Sequence, residues 1–250
     1  MNSLSLLNKQ QKEAVTSLDG PVMILAGAGS GKTRVISERI SYLIEKKGVL
    51  PKHILAVTFT NKAASEMNTR IRKILLVKNI GIHISTFHSL AVSLLRKAIH
   101  LLGYSSNFII YDTKDQHALI KNIIEDLNSK HLLTLDSKLI HHEICQAKSI
   151  AKNAEEILIQ RFVSQKDIIK KIFIEYQQIM KGCNALDFED ILILTLKLFD
   201  EQPQFMESIT ARYRYIMVDE YQDTNFVQYS LLRYLTKNHK NLCVVGDDDQ

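Results

Sequence analysis

An α/β fold with a parallel sheet, interrupted by one all-helical subdomain insertion, is the architecture predicted by these 250 residues. Two observations carry it. Short apolar runs alternate with stretches of helical periodicity towards both ends of the chain, as strand-helix-strand units with parallel pairing require. Between about residues 100 and 185 the apolar runs vanish and only helical periodicity remains.

The elements follow in order. Val22-Met23-Ile24-Leu25-Ala26 is short, apolar and followed by glycine, the pattern of a buried strand, and a helix then runs through Val35, Ile36, Ile40 and Leu43. Gly48 and Pro51 break the chain before a second buried run, Ile54 to Phe59. Asn61 opens a helix with Ala63, Ala64, Met67, Ile71 and Ile74 on one face. A third run, Ile82 to Phe87, leads into a helix through Leu90, Leu94 and Leu95. Within the helical stretch, Thr113 and Gln116 have the spacing of a capping box ahead of the stripe Leu119, Ile120, Ile123, Ile124 and Leu127. Ser164 opens a further helix carrying Ile168, Ile169, Ile172, Phe173 and Tyr176, which Gly182 ends. Apolar runs return at Tyr215 to Val218 and at Leu242 to Val245, so the sheet is completed after the insertion.

Composition limits the function classes. With 46% hydrophobic and 24% charged residues the chain is globular, with room for one large domain or two modest ones. A net charge of +5 and a pI near 8.9 suit a polyanionic partner without establishing one. Cys145, Cys183 and Cys243 show no CxxC spacing and cannot make a full disulfide framework, which points to a reducing interior. Met1 to Gln11 lacks the apolar core of a signal peptide, and no apolar run is long enough to span a bilayer. A cytoplasmic protein without a membrane partner is expected. The histidines, including His141 and His142, show no ligand spacing with cysteine or carboxylate, so no zinc is assigned.

The chemistry starts at Ala26-Gly27-Ala28-Gly29-Ser30-Gly31-Lys32-Thr33. Glycines let the backbone curl so that N–H groups and the next helix N-terminus face phosphates; Lys32 adds positive charge, and the Thr33 hydroxyl can ligate Mg²⁺. Ala26 stands where the commonest form of this motif has glycine. The run Tyr215 to Val218 ends in Asp219 and Glu220. Such a pair divides its work at a phosphate site: Asp219 holds Mg²⁺ directly or through water, and Glu220 polarises the attacking water. Together the two motifs predict a nucleoside-triphosphate hydrolase.

The order of further motifs is more specific than any one of them. Leu7-Asn8-x-x-Gln11, the glycine-rich loop, Thr58-Phe59-Thr60-Asn61-Lys62-Ala63-Ala64, Ser85-Thr86-Phe87-His88-Ser89, Leu186-Asp187-Phe188-Glu189-Asp190, Asp219 to Thr224 and Gly246-Asp247-Asp248-Asp249-Gln250 run end to end. The chain resembles superfamily 1A DNA helicases of the UvrD/Rep/PcrA type. That resemblance implies a RecA-like domain 1A over residues 1–95 and 186–250 and a helical subdomain 1B over residues 96–185. It implies ATP and Mg²⁺ as cofactors, and 3′-to-5′ movement on single-stranded DNA and at its junctions with duplex, in DNA repair or replication.

By the same resemblance Gln11 reads the adenine edge, a task for an amide that both donates and accepts. Arg34 contacts nucleotide and completes a binding set of Gln11, Ala26, Gly27, Ala28, Gly29, Ser30, Gly31, Lys32 and Thr33. Gln250 senses the γ-phosphate and joins Glu220 and Lys32 as the catalytic group. Phe59, Asn61, Thr86 and His88 fall on motifs that line the DNA path, where an aromatic stacks on a base and polar groups contact phosphate or sugar. Lys62, Arg70, Arg72 and Lys73 are either further phosphate contacts or a solvated helix face, and Phe188 is open between DNA and core.

In the family the segment after the Gly246 to Gln250 motif continues through Ser-Ile-Tyr and an arginine-glycine pair into a second RecA-like domain, whose arginines neutralise the γ-phosphate. The expectation is an N-terminal, ATP-binding helicase half that does not unwind DNA alone, with a separately encoded C-terminal half as a partner. Two other readings stay open. One is a non-catalytic module that binds nucleotide or single-stranded DNA. The other is the N-terminal part of a RecB/AddA-like helicase-nuclease, whose larger insertions fit this compact spacing less well.

Overall fold

The computed structural model describes residues 3–27, 29–76, 81–127, 135–150, 154–162 and 165–247. Ala28, Ser164 and Gln250, each given a role above, lie outside the described residues. In chain order the helices are α1 (Lys9–Thr16), α2 (Lys32–Lys47), α3 (Asn61–Leu75), α4 (Phe87–Ala98), α5 (Thr113–Leu127), α6 (Ser137–Ile150), α7 (Ala154–Arg161), α8 (Lys166–Gly182), α9 (Phe188–Glu201), α10 (Pro203–Arg212) and α11 (Phe226–Thr236). The strands are β1 (Val22–Leu25), β2 (Ile54–Thr58), β3 (His83–Thr86), β4 (Ile109–Ile110), β5 (Ala185–Leu186), β6 (Tyr215–Val218) and β7 (Leu242–Gly246). They fall into two compact units, one of residues 1–90, 203–224 and 232–250, the other of residues 91–202 and 225–231.

The first unit is built on a five-stranded sheet in the order β1-β7-β6-β2-β3, every neighbouring pair parallel. This is the α/β architecture read from the alternation of apolar runs and helices. All of Ile54 to Thr58 is buried, as a strand flanked on both sides and covered on both faces should be. Ile36, Ile40 and Leu43 of α2 pack with Ile54, Ala56, Met217, Cys243 and Val245 in one core. Each such aliphatic side chain contributes about 1.5–3 kcal/mol on full burial. The backbone of Gly48, at φ 65°, ends α2, its N–H donating to the Leu43 carbonyl.

One strand differs from expectation. β1 is not buried on both faces: Met23 is 62% and Leu25 58% exposed. It lies at the edge of the sheet with β7 as its neighbour, so its apolar run reflects alternation at an edge rather than a central position.

In the second unit the apolar stripes of α5, α6, α7 and α8 meet. Ile120, Ile123, Ile140, Ile144, Leu158, Ile169, Ile172 and Tyr176 form its core. The strands β4 and β5 pair in parallel, Ile109 with Ala185 and Ile110 with Leu186, and so join the two ends of the helical stretch. The capping box before α5 lies one residue earlier than the spacing suggested. The Asp112 carboxylate accepts from the N–H groups of Lys114 (2.7 Å) and Asp115 (2.9 Å), and the Asp112 N–H donates to the Asp115 carboxylate (3.1 Å). A charged carboxylate is favoured over threonine at a positive helix N-terminus. Gln116 instead belongs to the buried stripe, its amide donating to the Tyr111 carbonyl. Among the described residues no helix is long and apolar enough to cross a membrane.

Candidate functional site

Strand register assembles the site. Leu25 of β1 lies beside Gly246 of β7, and Val244 beside Val218 of β6, so the residues that follow these strands emerge at one edge of the sheet. The Ala26 N–H extends the pairing by donating to the Gly246 carbonyl at 3.0 Å. The loop then folds on itself, Ser30 N–H to Gly27 carbonyl at 3.3 Å, and Gly31 turns it into α2 at φ 90°. That left-handed backbone would cost an L side chain about 1–2 kcal/mol, which accounts for glycine here. The first turn of α2 carries N–H groups that have no partner within the helix, the donors an anion requires.

The charged groups meet at that turn. Lys32 Nζ lies 2.9 Å from Asp247 Oδ2 and 3.7 Å from Glu220 Oε2. The Thr33 hydroxyl donates to Asp219 Oδ2 at 3.0 Å. Glu220 adopts the left-handed region at φ 53° and ψ 47°, a conformation that costs a non-glycine residue of order 1–3 kcal/mol. Its N–H donates to Asp219 Oδ1 (3.1 Å) and its carbonyl accepts from Asp223 N–H (3.1 Å), which holds the turn. The two acids therefore differ: Asp219 is buried, while the Glu220 side chain is 42% exposed to incoming water.

Their surroundings set their protonation. The hydrogen bond to Asp247 holds the Lys32 ammonium above its ordinary value, against desolvation and with help from Glu220. Burial pushes the Asp219 carboxyl up, Glu220 adds to this, and the Thr33 hydroxyl opposes it. A buried carboxylate beside a hydroxyl is a pair of hard oxygen ligands. Thr33 and Asp219 thus fit a Mg²⁺ ion.

Gln11 reaches the same loop: its amide donates to the Ser30 carbonyl (3.1 Å), and its Oε1 accepts from Asn8 N–H (3.1 Å) in the capping box of α1. One N–H and one lone pair of that amide are left over, enough to meet a base edge. Arg34 sits half-buried in the first turn of α2. Phe59 and Asn61 follow β2, Thr86 ends β3 and His88 lies just after it, and none of the four is part of this cluster. Phe59 is half-buried with its ring edge-on to Phe87 at 5.7 Å, and Asn61 is exposed at the start of α3. Thr86 is buried and acts as a cap, its hydroxyl accepting from Ser89 N–H (3.2 Å) and donating to Ser89 Oγ (2.9 Å). His88 is half-buried in the first turn of α4. Phe188, at the start of α9, is 50% exposed, so core packing does not explain it.

Sequence reading gave no role to Asp247 or Gln222, which the structure places on Lys32 and Glu220. They stand inside the Gly246 to Gln250 and Asp219 to Thr224 motifs, but only the neighbourhood of β7 with β1 and β6 brings them to the loop.

A parallel sheet whose edge strand enters a Gly-Lys-Thr loop, with an aspartate from another strand end bonded to that threonine, is the arrangement of a phosphate-loop fold. Comparison with known proteins narrows that class. Residues 7–250 match the UvrD/REP helicase N-terminal domain, and the chain belongs to that family. It is similar to the ATP-dependent DNA helicase PcrA of Bacillus subtilis (strain 168), 44% identical over 247 residues that cover 99% of this chain and 33% of that protein. PcrA of Staphylococcus epidermidis (strain ATCC 12228) and of Staphylococcus aureus (strain Mu50) are each 40% identical over 253 residues, covering 100% of this chain and 34% of theirs. The chain thus spans about a third of the length of the curated relatives it matches.

Proposed function

We propose that the chain binds ATP with Mg²⁺ and hydrolyses it, as the ATP-binding part of a 3′-to-5′ DNA helicase that engages single-stranded DNA. The observation that supports this reading is the meeting of Lys32 and Thr33 with Asp219, Glu220 and Asp247 at one edge of the sheet. In this reading Lys32 exchanges Asp247 for phosphate oxygens, and Thr33 and Asp219 hold the metal. When bound, Mg²⁺ supplies positive charge against the phosphates. Glu220 takes the proton of the attacking water from its exposed side, while Gln11 and Arg34 hold the nucleotide. Gln250 keeps its proposed role at the γ-phosphate. Phe59, Asn61 and His88 supply the DNA contacts, and Thr86 caps the turn that carries His88.

Titration with a fluorescent ATP analogue and Mg²⁺ tests the nucleotide half. Lys32→Ala is expected to weaken binding about 10- to 150-fold, the worth of one hydrogen bond to a charged group. Undiminished affinity in that variant would sink the assignment. A labelled single-stranded oligonucleotide tests the DNA half separately, where Phe59→Ala should cost about 5- to 150-fold if the ring stacks on a base.

The metal assignment carries a pH dependence with a definite sign. Because burial raises the Asp219 carboxyl, protons compete with Mg²⁺ at higher pH than at an ordinary carboxylate. Mg²⁺-dependent tightening of nucleotide binding should therefore fade on acidification at a higher pH than an ordinary carboxylate would give. Asp219→Asn should weaken the tightening and leave only the pH dependence of the terminal phosphate itself; identical pH profiles in the wild type and the variant contradict the assignment.

A further inference from the structure

At the site four side chains, one of them through its backbone N–H, close a ring. Lys32 Nζ lies 2.9 Å from Asp247 Oδ2, and the Asp247 N–H donates to Gln222 Oε1 at 3.1 Å. Gln222 Nε2 donates to Glu220 Oε2 at 2.8 Å, and that oxygen lies 3.7 Å from Lys32 Nζ. Gln222 is the neutral member, and an amide suits the place because it can accept from a backbone N–H while donating to a carboxylate.

A triphosphate would act on this ring unequally. It claims Lys32, so both contacts made through Lys32 weaken, whereas neither contact of Gln222 involves a phosphate-binding group. Glu220, exposed and on a left-handed backbone, would then lose Lys32 and keep Gln222. Resting on the hydrolytic reading above, we infer that Gln222 is the positioning residue that keeps the Glu220 carboxylate in place, tied to the end of β7, once Lys32 has turned to phosphate. Gly246 supports this independently. Its backbone does not lie at positive φ, yet a Cβ there would stand 3.1 Å from Gln222 Oε1 and 3.5 Å from Gln222 N. A side chain at this position would crowd the Gln222 amide and require it to give by a few tenths of an ångström.

Four measurements on the full chain test it. In Gln222→Leu the hydrolysis rate per bound nucleotide should fall about 10- to 100-fold while affinity for Mg-ATPγS stays within about twofold, the split expected when only positioning is lost. Gln222→Glu retains the acceptor for the Asp247 N–H but not the donor to Glu220, so it should be no more active than Gln222→Leu; recovery of the rate would overturn the inference. Gly246→Ala should slow hydrolysis in the wild-type background and have little further effect beside Gln222→Leu, because the two residues act through one contact. Additive losses would overturn the inference too.

The fourth measurement does not depend on turnover. The side-chain amide NMR resonance of Gln222, identified by its loss in Gln222→Leu, should stay at its hydrogen-bonded position when Mg-ATPγS is added and move in Glu220→Ala. A shift to the free-amide position on adding nucleotide overturns the inference even if the chain hydrolyses ATP. A steady resonance in a chain that binds but does not hydrolyse overturns the hydrolytic reading and leaves the hold standing. Failure of Mg-ATPγS to bind at all overturns the nucleotide reading, and the inference with it.

Discussion

Replacing Lys148 by methionine is expected to destabilise the second unit by about 3–5 kcal/mol, the cost of leaving a buried ion pair with one partner missing. Lys148 is 2% exposed, and its Nζ lies 2.5 Å from Asp187 Oδ2 and 2.7 Å from Asp190 Oδ1. Burial alone would lower the ammonium, but Asp190 and Asp187 outweigh it and hold it above its ordinary value. Asp187 is also the N-cap of α9 in a capping box with Asp190, and it accepts from the Tyr176 hydroxyl at 3.0 Å. Without the cation, two buried carboxylates share that cap. Methionine fills the stem's volume, so the loss read in urea unfolding isolates the charge rather than a cavity. Adding Asp190→Asn to Lys148→Met should restore part of it. A loss below about 1 kcal/mol would mean that the trio behaves like a surface pair.

The same cluster predicts a pH slope. Burial pushes the Asp190 carboxyl up from 3.8 to about 6, with Asp187 adding and Lys148 opposing. A raised folded value means that the folded unit still holds a proton that the unfolded chain has released. Its contribution is full below 3.8 and is lost as pH rises through about 6. In Lys148→Met the opposing cation is gone, so the loss should extend to higher pH. Unfolding midpoints across this range decide it, and an unchanged window in the variant would contradict the account.

What was legible in the sequence depended on how local its cause is. Buried strands are short apolar runs, so Ile54 to Thr58 and Tyr215 to Val218 could be read directly. Val22 to Leu25 has the same composition as a central strand, and only the crossovers that place it outside β7 make it an edge. Lys32, Thr33, Asp219 and Glu220 could be chosen as candidates because phosphate chemistry demands those types at those spacings. Gln222 and Asp247 could not be assigned, because their partners depend on how β6 and β7 lie against the glycine-rich loop. Lys148 continues the stripe of Ile140 and Ile144 at helical spacing, a visible anomaly. A lysine on such a stripe commonly sends its head to solvent, and nothing local to it announces carboxylates 39 and 42 residues further on.

Glu220→Gln is expected to slow ATP hydrolysis by about 100- to 10,000-fold, the range for loss of a general base, while leaving nucleotide binding intact or tighter. The argument is geometric and electrostatic. An amide cannot accept the water's proton, but its carbonyl oxygen can still accept from Gln222 Nε2, so the turn and its left-handed backbone have no reason to change. The substitution also removes a negative charge 3.7 Å from Lys32 and one of the influences that raise Asp219. Lys32 is then held by Asp247 with less help, and phosphate oxygens displace that contact more readily. Asp219→Asn is the contrasting case, since it weakens the Mg²⁺-dependent part of binding first. Single-turnover hydrolysis beside titration with an ATP analogue separates the two acids. Equal losses of rate and affinity in Glu220→Gln would make that residue a ligand rather than a base, and an unchanged rate would place water activation on another group.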